Sequence, residues 1–116
     1  MIEQAKNTGI IKINSQNKTY RNYINVPDLL EISNCFLKDD TSEKSYTFDT
    51  FGQTLEMQDL ANLIFEILNI KSNIDRTFNA NLPSDNYFGN PEEQNILLER
   101  YNLRLNSVKT CLETIV

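Results

Sequence analysis

Between Met57 and Leu68 the apolar residues Met57, Leu60, Ala61, Ile64, Ile67 and Leu68 recur at i, i+3, i+4, i+7, i+10 and i+11. That spacing lines one side of an α-helix, so the helix must be covered along its length by the rest of the chain. A chain of 116 residues has room for one modest domain, burying roughly 65% of its unfolded surface. The helix therefore belongs at the centre of a single core, residues 1–116. Leu63 and Phe65 lie off the stripe, which leaves two readings open: a broad buried face, or a second surface covered by something outside this chain.

The flanking segments supply strands to pack against it. MIEQAKN reads as the tail of an amphipathic helix that Gly9 stops before the β-branched run GIIKIN, a strand. SQNK is a polar turn, and TYRNYIN alternates as a second extended stretch that brings Arg21 and Tyr23 onto one face. From Val26 the period becomes helical: Val26, Leu29, Leu30, Phe36 and Leu37 share a face, and Pro27 sits in the first turn where its missing N–H is harmless. KDDTSEK is a charged turn, SYTFDTF alternates as a strand, and Gly52 opens a tight connection into TLEM. SNIDRTF reads as a short strand and NANLPSDNYFG as a loop. Asn90, Pro91 and Glu93 then mark a helix start as cap, first-turn proline and capping-box acid, and Asn106 caps a last helix through Ile115. The order predicts an α/β fold with a small mixed sheet and about four helices.

Several function classes close on composition. A chain without histidine cannot build a Ser-His-Asp or Cys-His triad or a histidine-ligated zinc site. Gly9, Gly52 and Gly89 stand too far apart for a dinucleotide fingerprint or a P-loop, and none of the five tyrosines has a lysine four positions later. Cys35 and Cys111 form no metal or redox spacing and read as small helix-packing residues. The acids of DDTSE lack the glycine and spacing of a calcium loop and read as a solvated turn. A net charge of −5 without a dense basic cluster argues against nucleic acid, and no apolar run suffices to cross a bilayer. MIEQAKNTG has no signal-peptide core, which makes the cytoplasm the expected location.

Arg21 is the residue with the most chemistry to offer, and spacing leaves it two roles. It can be a solvated partner in a surface salt bridge, worth about 0–1 kcal/mol. Alternatively, a planar guanidinium at a strand end beside a helix N-terminus can grip a diphosphate with two parallel hydrogen bonds.

Three consecutive stretches carry a family resemblance. GIIKINSQNKTYRNYINVPDLLEI resembles the segment of extended short-chain dehydrogenases in which a strand and polar turn lead to Arg-x-Tyr/Phe-x-x-Val-x-Asp, here Arg21, Tyr23, Val26 and Asp28. YTFDTFGQTLEMQDLANLIFEIL is similar to the strand, glycine turn and helix that follow. DNYFGNPEEQNILLERYNLRLNSVKTCLETIV is similar to the closing substrate loop and helix pair. The family is the NAD-dependent sugar-nucleotide epimerases and dehydratases, and the stretches correspond to its C-terminal substrate-binding lobe, about the last third of such an enzyme.

The resemblance implies that Arg21 meets the diphosphate of a nucleotide-diphosphate sugar, with Asn25 and the loop residues Asp85, Asn86 and Tyr87 near the same ligand. Tyr23 would pack in the core and Asp28 would stabilise the start of its helix. Asn25 stands where the family often has histidine or tyrosine, and LPSDNY lacks the arginine that many members place there, which implies an altered phosphate clamp. The Rossmann half is missing, and with it the NAD or NADP site and the catalytic Tyr/Lys pair, so the lobe should be inactive alone. It should bind its ligand with a dissociation constant of roughly a millimole per litre. From another class, a stand-alone acidic α/β protein that docks other proteins through exposed apolar residues also fits the composition. A free-standing enzyme using carboxylates fits poorly, since no acidic pair has a motif that places it in a cleft.

Overall fold

A computed structural model describes residues 1–40 and 45–116. The chain opens with α1 (Ile2–Thr8), which Gly9 ends in the left-handed conformation (φ 69°), donating its N–H to the Ala5 carbonyl. β1 (Ile11–Lys12) and β2 (Thr19–Tyr23) follow, then α2 (Val26–Lys38), β3 (Gln53–Glu56), α3 (Met57–Leu68) and β4 (Ile74–Asp75). The chain closes with β5 (Asp85–Tyr87), α4 (Glu92–Arg100) and α5 (Val108–Ile115). This is a mixed α/β protein with five helices among the described residues, where the sequence predicts about four.

Its strands form two small sheets. β1 pairs with β4 in parallel, Ile11 opposite Ile74. β2 is the middle of the other sheet, antiparallel to β3, with Arg21 opposite Leu55, and parallel to β5, with Arg21 opposite Tyr87. A backbone hydrogen bond from Asn79 to Gln16 bridges the stretch between the two sheets.

The main apolar cluster lies where α3 meets α1, β1 and α5. Leu60, Ala61, Ile64 and Phe65 pack there with Ala5, Ile11, Ile13, Val108 and Leu112. Phe65 is 1% exposed and Leu63 is partly buried against the cluster, so α3 has the broad buried face. Tyr23 also packs against it and donates its hydroxyl hydrogen to the Met57 sulfur at 3.6 Å. α2 turns inward with Ile32 and Asp28, while Val26, Leu30 and Leu37 of the expected apolar face are exposed.

Four sequence expectations are corrected. SYTFDTF forms no strand, because side chains take its end: Gln94 bonds both the N–H and the C=O of Phe51, and Asn22 bonds both backbone groups of Gly52. The strand begins at Gln53, two residues after Phe51. The loop NANLPSDNYFG contains β5, created by the free edge of β2, with the Asp85 N–H donating to Lys18 O at 2.9 Å. The cap of α5 is Ser107, whose Oγ accepts from the Thr110 N–H. Asn106 is occupied instead by the buried Asp28 carboxylate, which accepts from its backbone and side-chain N–H groups at 2.8 and 2.7 Å. At α4, Asn90 still accepts from the Glu92 N–H, but Pro91 takes the cap position. The expected turn KDDTSEK, with the calcium-like acids, reaches beyond the described residues.

The molecule is flat, 51 × 33 × 17 Å, with a radius of gyration of 17.2 Å. A compact domain of this length has a radius of about 13 Å. No helix among the described residues is long and apolar enough to cross a membrane.

Candidate functional site

β2 is pleated, so Thr19, Arg21 and Tyr23 share one face and Tyr20 and Asn22 the other. Pairing on both edges fixes Arg21 at the middle of a three-strand rung, between Leu55 and Tyr87. Its guanidinium carbon lies over the Tyr87 ring, 5.0 Å from the centroid. A cation over a ring face at an exposed site gains about 0.5–1 kcal/mol, enough to bias the side chain toward that pose. The Arg21 side chain makes no ion pair and no hydrogen bond among the described residues, so the surface salt bridge open to it in sequence is not formed there. Its N–H groups are free for a bidentate anion. Tyr87 is 55% exposed and leaves the site open to solvent.

The remaining candidates divide. Asp85 lies two residues before Tyr87 and shares its face, opposite Thr19. Asn86, opposite Tyr20, is turned by the pleat to the other side of the sheet. Asn25 is the N-cap of α2 without a side-chain capping bond. It lines a separate cavity of about 210 Å³, mostly apolar, with Tyr23, Cys111, Leu112 and Ile115. The structure thus brings Arg21 and Tyr87 into contact, places Asp85 on their face, and sets Asn86 and Asn25 elsewhere.

The support beneath this site is a buried ion pair that sequence reasoning missed. Arg76 donates from Nη2 to Glu56 Oε1 at 2.9 Å and from Nη1 to Oε2 at 3.1 Å, with side chains only 3% and 9% exposed. Arg76 also donates from Nε to Ser15 O at 2.9 Å and from Nη2 to Asn17 O at 2.6 Å, which pins the turn that leads into β2. Glu56 in turn accepts from the Thr19 N–H at 3.0 Å and from the Gln58 N–H at 2.7 Å as the cap of α3. Burial alone would push the Glu56 carboxyl up, but the hydrogen bonds from Arg76 and the two amides hold it below the usual carboxylate range. The available signal was Glu56 standing just before a helix, with an unmatched arginine just after the next strand.

Two further groups are settled by their surroundings. Burial pushes the Tyr23 hydroxyl up, the Arg21 charge pulls it down, and the Glu56 charge adds to the rise, so the phenol stays protonated at neutral pH. Burial and the Asp28 carboxylate push the Cys111 thiol up, which suits a packing residue rather than a nucleophile. Among the described residues no group of Cys, Asp and Glu is placed to hold a metal ion.

No family model and no curated protein sequence matches the chain.

Proposed function

We propose that this chain is the substrate-binding lobe of an NAD-dependent sugar-nucleotide epimerase or dehydratase, with Arg21 as the residue that holds the diphosphate. The observation that carries the reading is an arginine without a carboxylate partner among the described residues, fixed at the middle of a strand rung and laid on the Tyr87 ring. A fork of donors held in that way is suited to two phosphoryl oxygens at once. Tyr87 lies beside the bound group, and Asp85 on the same face disfavours a ligand that carries its negative charge at that end. The flat shape supports a lobe, since a plate 17 Å thick leaves its core thinly covered and gains by packing on a partner domain.

Recognition is this chain's share of the activity. The NAD or NADP of the parent enzyme would supply transient oxidation at a sugar carbon, and the residues here do not fit that cofactor. Gly9 ends α1, Gly52 lies against the Tyr23 carbonyl and Gly89 against Asp49, at three separate places in the chain. The cofactor and the catalytic Tyr/Lys pair would belong to the Rossmann half.

An NMR titration with UDP-glucose, dTDP-glucose and GDP-mannose tests the reading. Amides of β2 and β5 should shift with a dissociation constant of about a millimole per litre, and Arg21→Gln should weaken the response about tenfold. An absence of shifts up to about 10 mM, or an unchanged response in R21Q, would sink it. A protein-docking reading is favoured by one observation, the exposed Val26, Leu30 and Leu37 on α2. Self-association in sedimentation, combined with silence toward every nucleotide sugar, would put that reading first.

A further inference from the structure

Arg21 also borders a cavity of about 250 Å³ between β1, the following turn and β2, whose polar lining is Lys12, Asn14, Ser15, Thr19 and Arg21. Two cations and no carboxylate line it, in a chain with 16 acidic and 11 basic residues. The ion pairs among the described residues are Arg76 with Glu56 and Lys109 with Glu66, so neither lining cation is neutralised. Asp75 stands opposite Lys12 in the strand register and lines an adjoining cavity that Lys12 also reaches, but it makes no ion pair with Lys12. Like charges facing one space repel, and an anion between them turns that repulsion into attraction.

The wall is also built in advance. Ser15 Oγ already accepts a hydrogen bond from Arg76 Nη2 at 3.2 Å, so the hydroxyl keeps its own hydrogen to donate. The same Arg76 holds the backbone of Ser15 and Asn17, and the wall therefore needs little ordering when a ligand arrives. The volume is below the 300–1,000 Å³ or so of a pocket for a whole small molecule, and suits a fragment of one.

We propose that this cavity is the seat of a diphosphate group, with Lys12 as a second cation beside Arg21 and Ser15 as a neutral donor. The proposal rests on the reading of the chain as a sugar-nucleotide-binding lobe and extends it by assigning Lys12 to the ligand. Two linked phosphoryl groups give each cation its own oxygens, where a single phosphate would have to share them.

The test titrates inorganic pyrophosphate and inorganic phosphate into the wild-type chain, K12Q, R21Q and the exposed-lysine control K71Q, each first checked for an unchanged backbone NMR spectrum. Pyrophosphate should bind about tenfold more tightly than phosphate, K12Q and R21Q should each weaken it about tenfold, and K71Q should leave it unchanged. Added salt should weaken binding in the wild type more than in K12Q. Unchanged pyrophosphate affinity in K12Q, or no binding by the wild type, overturns the proposal. If both variants lose pyrophosphate while UDP-glucose, dTDP-glucose and GDP-mannose bind no better than pyrophosphate itself, the anion seat stands and the sugar-nucleotide reading falls.

Discussion

Replacing Glu56 with Gln tests the support of the site directly. The wild-type carboxylate accepts two hydrogen bonds from Arg76 and one each from the Thr19 and Gln58 amides, at 2.7 to 3.1 Å. Glutamine removes the charge and replaces one acceptor oxygen with a donor, leaving Arg76 positive in a position only 3% exposed. Breaking a buried pair from one side costs about 3–5 kcal/mol, a large part of the 5–15 kcal/mol or so that holds a domain together. The melting temperature should fall by roughly 10–20 °C. The pH dependence gives an independent check. The folded Glu56 carboxyl lies below its unfolded value of about 4.3, so its stabilisation is complete above that value and is lost as pH falls through the folded value. Urea unfolding followed by circular dichroism should therefore show a gap between wild type and E56Q that is widest near neutral pH and narrows in acid. A loss under about 1 kcal/mol, the value of an exposed pair, or a gap that persists undiminished in acid, would refute the reasoning.

Three further outcomes rest on other contacts. Gly52→Ala should cost about 1–3 kcal/mol in urea unfolding, since an added Cβ would meet the Tyr23 carbonyl oxygen at 1.9 Å and backbone is hard to move. Gln94→Leu should cost about 2–4 kcal/mol by the same measurement, because the fully buried amide is the partner of both the Phe51 N–H and the Phe51 C=O. Leu37→Glu, at a side chain 79% exposed, should change the stability of the isolated chain by less than about 0.5 kcal/mol. A larger loss in thermal unfolding would mean that the α2 stripe is already covered in solution.

Much of the fold was legible because local periods dictate it. The α3 stripe needed no knowledge of its neighbours, and the stop at Gly9 follows from the one residue type that enters the left-handed region without cost. The elements read less well were those formed by distant partners. β5 is three exposed residues with no apolar alternation, and only the free edge of β2 makes them a strand. SYTFDTF has the alternation of a strand, yet its last residue, Phe51, is bonded to Gln94, 43 residues away, and the Gly52 that follows is bonded to Asn22, 30 residues away. In the site, Arg21 was visible as a candidate, while the grouping of Asp85, Asn86 and Tyr87 was too coarse. Read as a strand instead of a loop, the same three residues alternate, and Asn86 separates from the other two.

The distinction between Arg21 and Arg76 explains why charge-bearing residues resist a sequence reading. Each lies in or just after a short strand, and neither has an acid at a spacing that commits it to a salt bridge. Arg76 finds Glu56 across the fold, surrenders its donors to that carboxylate and to the Ser15–Asn17 turn, and becomes architecture. Arg21 finds an aromatic ring, which orients a guanidinium without occupying its N–H groups. The turn that Arg76 pins feeds directly into the strand that carries Arg21, and the Glu56 that pairs with Arg76 also bonds the first amide of that strand. One arginine thus spends its hydrogen bonds on fixing the position of the other, whose own donors stay open. A loss of Glu56 should therefore reach anion binding through the set of the 15–17 turn as well as through stability.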